Sequence, residues 1–194
     1  MPSWCSFVTF VVKQTQEKAA PLMSGYCDIA PGHPYHGPYH ENEYGFPLRD
    51  DDQLFERLCL EIFQAGLSWL IVLKKREEMR KAFDGFALKL VANYDEAKIA
   101  ELLGNPGVVR HRGKLEAIVE NAKRILVIQK EYGSFADWLD RQAATDRGGW
   151  VKIFKKTFKF TGGEIVNEFL MSIGKLPGAH SPDCPISLKI QALK

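Results

Sequence analysis

From Asp50 onward the chain carries a helical hydrophobic period, broken at short intervals by glycine and proline, and alternating strand-like stretches are scarce. That pattern restricts the fold to an all-α packing of short helices. DDDQLFERLCLEIFQAG places acidic residues in the first turn of a helix, facing the positive end of its dipole. At about 100° per residue, Leu54, Leu58, Ile62, Ala65 and Trp69 line one stripe. Gly66 interrupts it, and Ser68 is placed to cap a second helix, WLIVLKKREEMRKAF. EAKIAELLG, RGKLEAIVENAKRILVIQKEYG and SFADWLDRQ follow, the first two joined by the turn Gly104–Gly107. A last helix, GEIVNEFLMSIG, comes after the basic and aromatic run WVKIFKKTFKFTG.

With 194 residues, 45% of them hydrophobic and 26% charged, the chain suits one domain with a buried core. Its formal net charge of +2 means that any affinity for nucleic acid must come from local basic patches. The cysteines at 5, 27, 59 and 184 are too sparse for a disulfide scaffold, which points to a reducing cytoplasmic or nuclear setting. No stretch approaches the ~20 apolar residues of a membrane span. Residues 1–22 have no basic leader and are expected to be a weakly ordered extension, or upstream sequence read from an early start codon. The expected domain is 23–186, with a tail over 187–194.

The segment PYHGPYHENEYG, residues 34–45, has no helical or strand period but crowds tyrosine and histidine together. Cys27 and His40 lie thirteen residues apart here, and His180 and Cys184 lie four apart in AHSPDC. Thiolate and imidazole suit zinc, which in structural sites takes four such ligands tetrahedrally. Spacing alone does not choose His40 over His33 or His36. Buried cysteines beside solvated histidines are the plainer reading of the spacing alone.

Glu61 sits at the edge of the apolar stripe. It either faces a flat or cationic ligand beside Trp69, or turns outward to pair with Arg57 one helical turn earlier, and periodicity favours the outward pair. In ELLGNPGVVRHRGKLEAI, Gly107 precedes Arg110, His111, Arg112 and Lys114 at a helix start, where free amides and cations together suit phosphate. The alternative is a solvated charged face.

YHENEYG, LCLEIFQAGLSWLIVLKKRE, GVVRHRGKLEAIVENA and FKFTGGEIVNEFLMSIG, followed by the late His and Cys, resemble the DNA-3-methyladenine glycosylase I family in order and spacing. The resemblance spans about Gly25 to Cys184. It implies a helix-hairpin-helix glycosylase fold and hydrolytic removal of 3-methyladenine from alkylated double-stranded DNA, with no lyase activity. It also implies one structural zinc that joins the two terminal loops through Cys27, His40, His180 and Cys184. The family's base-contacting glutamate falls on Glu61, its pocket aromatics on Tyr39 and Trp69, and a further aromatic on Tyr44. The hairpin falls on Asn105 to Lys114. Tyr44 and Ile29 stand where relatives often have Trp, and His36 replaces a pocket-side tyrosine, so the pocket's shape is expected to differ.

A monomer with no obligate protein partner is the expectation, in the cytoplasm or nucleus. A non-catalytic, zinc-stapled binder of damaged DNA is the alternative. A zinc hydrolase would need three protein ligands and an open position, and four matched ligands argue against it.

Overall fold

The computed structural model describes residues 25–144 and 146–193, so the expectation for residues 1–22 falls outside it. The described residues form helices and turns, with no strand among them. None of their helices is long and apolar enough to cross a membrane.

The central element is α3, Asp51–Gln64. Asp50 starts it by accepting the Gln53 amide at 2.9 Å. The sequence predicts one apolar stripe on this helix, but the structure buries it on nearly every face. Leu54, Phe55, Leu58, Cys59, Leu60, Ile62 and Phe63 have no exposed surface. Around it pack α4 (Trp69–Ala82), α7 (Arg112–Tyr132), α8 (Phe135–Asp140) and α10 (Gly163–Ser172). The stripe ends at Ile62. Ala65 leaves the helix with an extended ψ of 109°, and Trp69 opens α4 instead. Ser68 stands at the N-cap of α4, but its hydroxyl makes no cap bond. Asp51 also ties α3 to its neighbours, since its carboxylate accepts from the amides of Phe135 and Ala136 and from Gln129.

Two helices lie where the sequence shows no apolar period. The first, α2 (His36–Asn42), falls inside PYHGPYHENEYG. Its start is satisfied by His33, whose Nδ1 accepts the amides of Tyr35 and His36 at 3.1 Å each, and Pro38 sits in the first turn, where no intrahelical donor is needed. The second, α9 (Arg147–Thr157), runs through the basic stretch, burying Trp150 and Phe154 and turning Lys152, Lys155 and Lys156 outward. The expected tail from 187 is also partly folded. In α11 (Pro185–Gln191), Ile186 and Ile190 pack with Cys184 against Phe46. The remaining helices are α1 (Tyr26–Ile29), α5 (Leu88–Val91) and α6 (Glu96–Gly104). The turns between α6 and α7 form the expected hairpin.

The early and late segments meet at a glycine contact. The Gly45 amide donates to Ser172 O at 2.8 Å. A Cβ on Gly174 would come within 2.7 Å of Gly45 O, and one on Gly45 within 2.9 Å of Ala179 Cβ. Both glycines have positive φ, 82° at Gly45 and 72° at Gly174. Side chains there would push the two chain ends apart.

Arg57 is buried and makes no ion pair with Glu61, which overturns the outward Arg57–Glu61 pair. Its guanidinium pairs with Glu43 at 2.9 Å and donates to the Tyr39 hydroxyl at 3.1 Å. Arg76 of α4 bridges Glu43, at 2.7 and 2.8 Å, to Glu56 at 2.8 Å. Glu56 takes Arg80 as well. This network fixes the end of α2 on α3 and α4. Replacing Arg76 with Met leaves two carboxylates short of a partner in a largely dry site. We expect a stability loss of about 2–4 kcal/mol in denaturant unfolding. A loss under about 0.5 kcal/mol would show that water already screens the network.

Candidate functional site

Three elements converge on a cavity of about 280 Å³, near the small end of the range for small-molecule sites. Tyr39 comes from α2, Tyr44 from the following turn, and Trp69 from the start of α4. The rings of Tyr39 and Trp69 meet edge to face at 5.0 Å, and Tyr39 and Tyr44 are 5.7 Å apart. The structure therefore brings together all three aromatics singled out in the sequence, with Glu61 at the cavity wall.

Glu61 is 4% exposed and has no hydrogen-bonding partner among the described residues. Burial, reinforced by the nearby carboxylate of Glu168, pushes its pKa up to about 8. An isolated carboxylate facing an aromatic cavity is costly unless something entering the cavity bonds it. The phenols of Tyr26, Tyr39 and Tyr44 are raised above their ordinary range, chiefly by burial, so they remain neutral donors and acceptors. A larger hollow lies over the Glu43–Arg76–Glu56 network, but its charges are already paired with one another.

The sequence reading missed three lining residues, Tyr26, Glu168 and Gln64, the last at the end of α3. Tyr26, next to Cys27, packs edge-on against Tyr44 at 5.5 Å and hydrogen-bonds His36 Nδ1 at 3.2 Å. It gives the cavity a wall, whereas Ile29, the expected site of an aromatic, is 53% exposed. The only signal for Tyr26 was an aromatic beside a candidate ligand. Glu168 is on α10, and nothing in the helical pattern of GEIVNEFLMSIG distinguishes it from a surface acid.

Cys27, His40, His180 and Cys184 come together at one side of this cavity, their ligand atoms all within 4.8 Å of one another. Sγ of Cys184 lies 3.6 Å from His40 Nε2 and 3.5 Å from His180 Nδ1, and Cys27 Sγ lies 3.7 Å from the same His180 atom. For a tetrahedral ion with zinc–sulfur and zinc–nitrogen bonds of ordinary length, the S···N edge is about 3.6 Å. His180 Nε2 contacts Tyr44 O at 2.7 Å, which fixes the tautomer that turns Nδ1 toward the thiols. His40 Nδ1 is buried without a partner, so Cys184 Sγ is that ring's one hydrogen-bonding contact among the described residues. The donor set and its spacing fit a zinc ion. His33 and His36 lie outside the cluster.

The cavity shares Glu61, Gln64 and Glu168 with an adjoining cleft bordered by the loop Ala65–Leu67. That loop in turn borders a surface formed by Pro106 to Lys114. Here the residues expected to touch phosphate divide. Lys114 does not: it is 4% exposed, and its ammonium is held by the carbonyls of Phe63 and Ala65 at the end of α3. The helical period of α7 turns it inward to cap those carbonyls. His111 caps α7 by accepting the Lys114 amide at 3.2 Å, and Arg112 pairs with Glu96 and Glu116. The Gly107 amide is taken by Asn105 Oδ1 at 2.8 Å. Arg110 is exposed with no carboxylate partner, and the amides of Val109 and Arg110 have no acceptor, all among the described residues. Asp137 and Asp140 pair with Arg49 on the outside.

The family model for methyladenine glycosylase matches residues 30–148. The DNA-3-methyladenine glycosylase of Haemophilus influenzae is 38% identical over 166 residues, covering 76% of this chain and 89% of that protein. DNA-3-methyladenine glycosylase 1 of Escherichia coli is 42% identical over 177 residues, covering 81% and 94%. Among solved structures, that of 3-methyladenine DNA glycosylase I from Staphylococcus aureus, described for its recognition of 3-methyladenine, superposes with a TM-score of 0.73 at 36% identity. It covers 83% of this chain and 95% of that one.

Proposed function

Starting from the chain's membership of the DNA-3-methyladenine glycosylase I family, hydrolases of N-glycosyl bonds, we propose that it flips 3-methyladenine out of alkylated duplex DNA and releases it by hydrolysis. The observation that carries this reading is the buried, unpartnered carboxylate of Glu61 in an aromatic cavity. 3-Methyladenine in DNA carries a delocalised positive charge. A neutral aromatic box with one acid suits such a ring, by stacking, cation–π attraction and a charged hydrogen bond.

In this reading Tyr39 and Trp69 stack on the flipped ring, Tyr44 closes a further side, and Glu61 accepts from the exocyclic amine. The bond between the sugar's C1′ and the base nitrogen breaks, and its electron pair neutralises the base. Water adds to C1′ and loses a proton. Because the leaving group is already cationic, the protein has less barrier to lower than an enzyme removing a neutral base. Flipping costs a few kcal/mol, less for a damaged pair.

Cys27, His40, His180 and Cys184 hold one zinc ion, whose contribution is to cross-link the two terminal loops rather than to activate water. The domain extends from Gly25 through α11, past the limit of 186 expected from the sequence. The protein acts as a monomer on duplex DNA. Lys114, with its ammonium tied to two carbonyls, is not placed to form a Schiff base, which supports a monofunctional enzyme.

Incubation with methylated duplex and chromatography of the released bases tests the reading. Free 3-methyladenine is expected, and binding without release would make the protein a damage binder. Borohydride is expected to trap no covalent complex on an abasic site. A trapped adduct would refute the monofunctional assignment.

At the hairpin, Arg110 and the neighbouring free amides are the proposed phosphate contact. Arg110→Ala should weaken duplex binding severalfold, equally for damaged and undamaged DNA. It should also reduce the slope of log K against log salt by about 1. An unchanged slope would remove Arg110 from the interface.

A further inference from the structure

Glu168 enters the cavity from α10, a different element from those that carry the aromatic walls, and it lines both the cavity and the adjoining cleft. It has no arginine or lysine partner among the described residues. Its Oε2 accepts the hydroxyl of Tyr44 at 3.2 Å, and its other oxygen has a longer contact with Asn167. A phenol has one proton. With that proton given to Glu168, the Tyr44 oxygen can only accept from anything inside the cavity. Tyr39 is set the other way: Arg57 donates to its oxygen, which leaves the Tyr39 proton free to be donated inward.

We propose that Glu168 is a specificity-determining residue of the pocket. With Glu61 in its ionised form and the Tyr44 oxygen it forms an acceptor-only wall, which selects a base bearing both positive charge and hydrogen-bond donors, an N-alkylated purine cation, over a neutral base of the same shape. It works partly through Tyr44, as a positioning residue, and partly through its own charge. Its field falls on Glu61, consistent with the raised affinity of Glu61 for its proton. The charged groups around that acid are Glu168 from α10 and Arg57 on its own helix, with the neutral phenols of Tyr26, Tyr39 and Tyr44 across the cavity. This inference rests on the reading of the cavity as the seat of the flipped base.

Trp69 provides the probe. Its fluorescence can be titrated with 3,9-dimethyladenine cation and with neutral 9-methyladenine, in the wild type and in Glu168→Gln, Glu168→Asp and Tyr44→Phe. The wild type should prefer the cation. Glu168→Gln should lose about tenfold of that preference, the size of one charged contact, Glu168→Asp should keep most of it, and Tyr44→Phe should lose part. An unchanged preference in Glu168→Gln overturns the proposal while leaving the base pocket standing. If Glu168→Gln does not fold, a full preference in Tyr44→Phe overturns it instead. If the wild type binds neither purine and releases no base, the pocket reading itself fails.

Discussion

Replacing Glu61 with Gln should lower kcat/KM for 3-methyladenine release roughly 10²-fold or more, while affinity for undamaged duplex stays within about twofold. The change keeps the volume and removes only the charge proposed to meet the cationic base. The same variant should be more stable than the wild type, and increasingly so as pH rises. The folded carboxyl holds its proton up to about 8, whereas in the unfolded chain it ionises near pH ~4.3. Between those values the unfolded state releases a proton that the folded state keeps, so wild-type stability falls across that window and levels off above it. The Glu61→Gln variant, with no proton to release at that position, lacks this slope. Melting at pH 5 and pH 8 should show the gap between the two proteins widening by several degrees. Excision by the wild type should rise with pH toward a plateau above about 8, as Glu61 becomes ionised before the base arrives, and the variant should lack that limb. Loss of DNA binding in parallel with excision would mean that the substitution had disturbed the fold rather than the recognition of charge.

Removal of the metal should have the second large effect. The wild type is expected to carry one zinc per chain by elemental analysis. Cys184→Ser should abolish stoichiometric zinc and lower the melting temperature by about 10 °C or more, since several kcal/mol of metal binding are folding energy. Excision should fall with it, because His40 adjoins Tyr39 in α2 and His180 holds the Tyr44 carbonyl. A Cys184→Ser protein with full zinc content would dismiss the quartet, and one that lost zinc but kept its melting point would make the ion adventitious.

Much of this was legible in the chain. Gly66, the Gly104–Gly107 turn and Gly133 mark where helices end, and the long apolar periods name the core. What periodicity could not deliver was the environment of a polar side chain on a buried helix. Glu56, Arg57 and Glu61 are neighbours on α3, and their spacing says nothing of which finds a partner. Arg76, on a different helix, takes Glu56 and Glu43, and Arg57 follows Glu43, so Glu61 alone is left facing the cavity. Lys114 misled for the opposite reason: its place in a basic cluster suggested solvent, while the period of α7 sends it under the hairpin to the end of α3. The metal quartet needed the resemblance, since His33, His36 and His40 are equivalent by spacing and only packing against the late loop separates them. Glu168 was hidden because its contact with Tyr44 spans 124 positions, and Tyr26 because no period in the early segment says which ring meets His36 and Tyr44.

The junction of the two chain ends has a consequence for how the protein is made. Cys27 must find His180 across 153 positions, and His40 must find Cys184 across 144. A ribosome delivers the early aromatics long before the segment that seats them. The helical bundle between can assemble from contacts closer in sequence, but the Tyr44 carbonyl is seated only when the late loop brings His180. A chain cut short before His180 would therefore lack both late members of the cluster and the contact that seats the Tyr44 carbonyl.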